Sequence, residues 1–135
     1  MLNDDAGYKR LFLLAAAYNL ALGLVFLLLF SQIVTFLHMA VPPPQSAVFH
    51  QMAILLAMVF GIGYYMVSRD LYGQRGIVVL GIIAKTTVFL LFLYHVLFSG
   101  LHLLLFIIGV GDLIFALLFY KYIRLVRIRA SAGAR

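Results

Sequence analysis

Between Arg10 and Arg69 the chain carries no Lys, Arg, Asp or Glu. A membrane-crossing helix needs about 20 mostly apolar residues, so this interval can hold two of them. Pro42-Pro43-Pro44 divides it, because consecutive prolines remove backbone donors and force an extended path. The first span is expected from Leu11 to about Phe30 and the second from Ala47 to Val67. Of the 135 residues, 66% are hydrophobic and 10% charged, against about 45–50% and about 25% in soluble domains. So short a chain has too much surface to hide that many apolar side chains, and a water-soluble monomer is excluded. The segment 31–41 places Ser31, Gln32, Thr35 and His38 among apolar residues. It reads either as an interfacial turn of helix or as the end of a longer, tilted first span.

Beyond the second span, Ser68 to Gly76 is polar and contains two glycines, the composition of a turn. The third span is expected over 77–98, ended by Ser99-Gly100, and the fourth over 101–120. Loops this short make sequential helices antiparallel, so the expected fold is all-α, an integral membrane antiparallel four-helix bundle. Residues 11–122 form its single domain, between a cytoplasmic N-terminus at 1–10 and a basic cytoplasmic tail at 123–135. Lys9, Arg10, Arg69, Arg75, Lys121, Arg124, Arg127, Arg129 and Arg135 all fall on one side of a four-span chain, and the other two loops have none. The positive-inside rule makes that side cytoplasmic, the inner face of the inner membrane in a bacterium. Ala15-Ala16-Ala17 resembles a signal-peptide cleavage site but follows too few apolar residues, so the first span is expected to stay attached.

Two charges sit where hydrocarbon should be. Lys85 lies ten residues past Arg75, and Asp112 nine before Lys121; at 1.5 Å per residue both are about 15 Å deep, near the middle of a core about 30 Å thick. Opposite charges at one depth on consecutive antiparallel helices are natural partners. Asn19, nine residues past Arg10, reaches the same level, and Thr86 can donate to Asp112 or to its own helix. Small residues support an inward direction for this layer: Ala15, Asn19 and Gly23 on the first span, and Ala53, Ala57 and Gly61 ending in Tyr65 on the second. Gly81 precedes Lys85 by one turn, and Gly109 and Ala116 flank Asp112. The layer reads either as a clamp that locks helix register or as a proton relay or charged floor of a ligand cavity. Of Tyr64 and Tyr65, at least one suits the interfacial aromatic belt.

Several chemistries are removed by what is missing. Without Cys there are no thiolate nucleophiles, Cys-based zinc sites, iron–sulfur ligands or disulfides. Glu is also absent, and Asp4, Asp5, Asp70 and Asp112 leave little for paired-carboxylate hydrolysis. His38, His50, His95 and His102 gather toward the non-cytoplasmic side but lack ligand spacing, so neither a metal nor a haem cofactor is expected. Gly76 to Thr86 is no phosphate loop, since Lys85 does not directly follow the second glycine. The alternation of basic and apolar residues from Lys121 to Arg129 suits a helix leaving along the headgroup layer, where it retains topology or binds anionic lipid. Nucleic acid is not expected as a partner, because the charge has no folded soluble face.

Tyr18-Asn19 with Gly23, the Pro-rich outer loop, Gly61-Ile-Gly63-Tyr64, Arg69-Asp70, Val78 to Gly81 followed by Lys85, and Gly111-Asp112 together resemble a group of small bacterial four-helix membrane proteins. In size and layout these are similar to the DoxX-like proteins, over about residues 11–122. The resemblance implies a polar intramembrane layer and an accessory role beside a redox or envelope system. The function expected from the residues is non-enzymatic: an accessory subunit, or a binder of a lipid-like molecule, with membrane lipids and another membrane subunit or a second copy as partners. The alternative is a membrane-embedded isomerase or proton-coupled carrier using Lys85 and Asp112. A third reading, an electron-transfer subunit, would rest on the histidines.

Overall fold

The computed structural model describes residues 4–40 and 42–132, without the side chains of Ala130 and Ala132; Arg135 and the start of the N-terminal segment lie outside the described residues. Among the described residues the regular structure is entirely helical: α1 (Asp5–Phe36), α2 (Ala47–Arg69), α3 (Arg75–Phe98) and α4 (Leu103–Ala132), with one 3₁₀ turn at Pro44–Ser46. All four α-helices are long and apolar enough to cross a membrane. They divide into two compact units, Met1–Asp70 and Leu71–Arg135, each an α-helical hairpin.

In the first hairpin α1 begins six residues before its apolar run. Asp4 is extended and accepts from the Gly7 amide at 3.0 Å, while Asp5 places a negative charge in the first turn. Both satisfy the positive, donor-rich end of the helix. The helix then continues through Ser31 and Gln32 to Phe36, interrupted at Leu29, which leaves helical angles (φ −116°, ψ 16°). The uncertain segment 31–41 is therefore mostly helix, set off by a kink. Its end is a Schellman-type cap: His38 adopts the left-handed φ of 53°, and the Met39 amide returns to the Val34 carbonyl at 3.0 Å. Pro43 and Pro44 then lead into α2, with Pro44 opening the 3₁₀ turn, where a missing N–H costs nothing.

Close approach of α1 to α2 depends on two glycines. A Cβ on Gly23 would stand 2.2 Å from Met58 Cγ, and one on Gly61 would meet Leu20 Cγ at 3.0 Å, Asn19 Cβ at 3.1 Å and the Ala16 carbonyl oxygen at 3.3 Å. Ala15, Ala16 and Tyr64 are buried. The small-residue line proposed for α2 is corrected in one respect: Ala53, Ala57 and Tyr65 are exposed, and the buried positions are Gly61, Tyr64, Val67 and Ser68. Successive helical residues are about 100° apart, so burying Tyr64 turns Tyr65 outward.

In the second hairpin the buried faces follow the spacing of a packed helix: Val78, Gly81 and Lys85 on α3, and Asp112, Ala116, Phe119, Tyr122, Ile123 and Val126 on α4. A Cβ on Gly109 would meet Phe92 Cβ at 3.0 Å. The turn into α3 is tied back to α4 by Tyr122, whose hydroxyl donates to the Leu71 carbonyl. Gly100, at φ 66°, ends α3 in a conformation that disfavours a Cβ. Throughout both hairpins large apolar side chains remain exposed, among them Leu28, Phe36, Val59, Leu97, Ile107 and Leu117.

Candidate functional site

The expected charge pair forms. Lys85 Nζ is bonded to a carboxylate oxygen of Asp112, with both residues buried. Their helices bring them together because residues of matching depth on antiparallel neighbours meet when the turn between them is short. Phe115, one turn beyond Asp112, places its ring centroid 5.3 Å from the ammonium, where the electron-rich face stabilises positive charge. On the same buried faces Val78 and Gly81 precede Lys85 on α3, and Ala116 and Phe119 follow Asp112 on α4. An ammonium and a carboxylate in contact there satisfy each other's principal need.

Asn19 is in the first hairpin, half-buried, and its side-chain amide donates to the Ala57 carbonyl at 2.8 Å, so it ties α1 to α2. Thr86 is half-buried and, among the described residues, makes no hydrogen bond to Asp112. One residue along a helix is a rotation of about 100°, which turns it away from the partner that Lys85 faces. Tyr65 is outward, as described above.

The histidines separate into individual local roles. His38 caps α1, and His102 accepts from the Leu104 amide at 3.2 Å just before α4. His95 Nδ1 lies 3.0 Å from Ser99 Oγ. Among the described residues no group of three or more His or Asp side chains can hold a metal ion.

His50 belongs to a feature that sequence reasoning does not reach. Beside the kink at Leu29, a groove of about 230 Å³ lies between α1 and the start of α2, lined by Phe26, Phe30, Ser31, Pro43, His50 and Gln51, among others. The His50 ring packs against Phe30 with centroids 4.9 Å apart. Its Nδ1 donates to the Ser46 carbonyl at 2.7 Å, which leaves Nε2 the acceptor of the neutral ring. Among the described residues, the Ser31 hydroxyl and the Gln51 amide are committed to no hydrogen bond within the protein. Among the described residues no Asp, Glu, Lys or Arg lines the groove. The available sequence signal is a pair of polar clusters on either side of the triple proline. What the sequence lacks is a sign of the kink, since neither Pro nor Gly occurs near Leu29 to announce it. Compared with protein-family models, with curated proteins and with solved structures, the chain gives no match.

Proposed function

We propose that the chain is a multi-pass membrane protein, an antiparallel four-helix bundle with cytoplasmic termini, that binds a neutral lipid-like amphiphile, alone or as the accessory subunit of a larger membrane assembly. The observation that carries this reading is the groove at the α1 kink. Sites that enclose a whole drug-sized ligand run to about 300–1,000 Å³. At about 230 Å³ this one fits one end of a molecule whose remainder stays among the lipid chains. Its wall joins Phe26, Phe30 and Ile54 to the uncommitted polar groups of Ser31 and Gln51 and the imidazole of His50, which suits a hydroxyl or carbonyl on an apolar tail. The absence of charge from the lining disfavours an ionic head. Cytoplasmic termini are supported by the distribution of Lys and Arg, and the DoxX-like layout belongs to the same proposal.

A fatty alcohol bearing a diazirine beside its hydroxyl tests the reading. Irradiated with the purified full-length protein, it is expected to label peptides from residues 26–54, and Ala47→Phe, which fills the groove, should remove most of that labelling. Labelling spread evenly over all four helices, or unchanged in Ala47→Phe, refutes it.

A second reading is favoured by the contact of Lys85 with Asp112: an acid and a base within a bilayer can move a proton, as an isomerase or proton-coupled carrier requires. It predicts that Lys85→Met with Asp112→Leu abolishes activity without loss of fold.

A further inference from the structure

The exposed residues of α4 form one continuous stripe. Ile107, Ile114, Leu117, Lys121, Arg124 and Ile128 recur at intervals of three, four and seven, the spacing of a single helix face, and all are exposed. The opposite face, with Tyr122, Ile123 and Val126, is buried. Lys121 and Arg124 therefore do not point along the helix axis into bulk water. They continue sideways the surface that, one turn earlier, is apolar.

Depth fixes what that surface meets. From Leu103 to Lys121 the helix rises about 27 Å, nearly the thickness of a hydrocarbon core of about 30 Å. When α4 crosses a bilayer, Lys121 falls at its edge, and Arg124 and Arg127 fall about 4.5 and 9 Å farther out, in the headgroup layer. Arg127 borders the same face and is exposed. Among the described residues none of these three cations is paired with a carboxylate, and the sequence has no Asp or Glu after Asp112. Arg129 is engaged differently, its Nη1 donating to the Tyr72 hydroxyl at 3.3 Å.

We propose that Lys121, Arg124 and Arg127 on the outer face of α4 bind the headgroup phosphate of an anionic phospholipid lying alongside that helix. The proposal rests on the membrane reading above but not on the groove or its ligand. Guanidinium groups hold phosphate oxygens through paired N–H donors, and the aliphatic stems cover the apolar surface beneath. Exposed Leu117 and Ile114, on the same stripe on the hydrocarbon side of Lys121, select a lipid over a soluble polyanion: the acyl chains cover them, whereas a free anion leaves them uncovered.

The test titrates the purified full-length protein in detergent with dioleoylphosphatidylglycerol or dioleoylphosphatidylcholine, reading bound lipid by native mass spectrometry and thermal unfolding in parallel. At about 1 kcal/mol for each cation near an anionic surface, each of Lys121→Gln, Arg124→Gln and Arg127→Gln is expected to weaken phosphatidylglycerol binding about fivefold. Binding of phosphatidylcholine should be unchanged, which also establishes that the variants are folded. Arg124→Lys should retain most of the preference. Stabilisation by phosphatidylglycerol should fade as salt is raised. Equal binding of the two lipids by the wild type overturns the proposal, as does a triple Gln variant that keeps the preference. Stabilisation by inorganic phosphate alone that matches phosphatidylglycerol also overturns it.

Discussion

Removing one member of the Lys85–Asp112 pair should cost far more than removing both. In Lys85→Met the Asp112 carboxylate, buried to 8% exposure, loses its counter-charge while Phe115 stays beside it. In Asp112→Leu the Lys85 ammonium, at 3% exposure, loses its counter-charge and keeps the ring face at 5.3 Å, worth about 2 kcal/mol or more for a desolvated cation. Breaking a buried pair by removing one partner costs about 3–5 kcal/mol, whereas replacing both by apolar groups of similar volume is often neutral or stabilising. Each single variant is therefore expected to lose about 3 kcal/mol or more, and Lys85→Met with Asp112→Leu about 1 kcal/mol or less, giving a coupling of roughly 5 kcal/mol. Polar contacts between membrane helices average nearer about 0.6 kcal/mol, with a maximum near 1.7, because the separated helices find other partners. A full ion pair with no other charge on either span should exceed that range. Unfolding of the four proteins in mixed micelles, followed by circular dichroism, measures the cycle. Strict additivity would show that the two side chains do not sustain one another, and the reasoning from burial and contact would fail.

Gly61→Val places new atoms against Leu20, Asn19 and the Ala16 carbonyl, where the backbone oxygen at 3.3 Å cannot turn aside; it should destabilise by about 1–3 kcal/mol in the same unfolding assay. Gly76→Ala is the contrast, since a Cβ there meets nothing within 4 Å in the first turn of α3, and it should stabilise by about 0.5–1 kcal/mol. Tyr122→Phe removes the hydroxyl that donates to Leu71 and should cost about 1 kcal/mol, with faster amide exchange in the turn 71–74. Reporter fusions within the Pro42–Gln45 turn and after Arg135 should show opposite sidedness, the latter cytoplasmic, and equal sidedness removes the four-span reading.

Helix number and the Lys85–Asp112 contact were legible because each depends on one-dimensional quantities. Hydrocarbon thickness turns a count of residues from the nearest flanking charge into an expected depth, and a short turn converts equal distance along two helices into contact. Direction around the helix is harder to read. Tyr64 and Tyr65 are chemically identical neighbours, and which one turns inward depends on where α1 touches α2, which Gly61 decides by admitting Leu20 and Ala16. Thr86 makes no hydrogen bond to Asp112 among the described residues for the same reason, as proximity in sequence to Lys85 is not proximity on the face. The early start of α1 had a visible signal in Asp4, whose side chain caps it, but the apolar run at Leu11 outweighs a cap when spans are sought. The kink at Leu29 has no such signal, and with it the groove is hidden.

The two hairpins solve one problem in the same way. In a bilayer the lipid tails are as apolar as leucine, so hydrophobicity does not tell one helix from another and close contact must come from small residues and a few polar bonds. Gly23 and Gly61 bring α1 against α2, and Asn19 fixes their register through the Ala57 carbonyl. Gly109 admits Phe92, and Lys85 with Asp112 fixes α3 against α4. As ties between neighbouring helices, Asn19, Lys85 and Asp112 are accounted for without calling on a substrate. Ser31 and Gln51 stand apart from this scheme, being polar, close to the end of their spans, and with side chains that make no hydrogen bond among the described residues. Replacing a tie should therefore loosen its hairpin, whereas Ser31→Ala with Gln51→Leu should leave unfolding unchanged within about 0.5 kcal/mol and lower labelling by the fatty alcohol. A loss of stability in that variant, with labelling intact, would move Ser31 and Gln51 into the scaffold and leave the groove without a polar end to recognise.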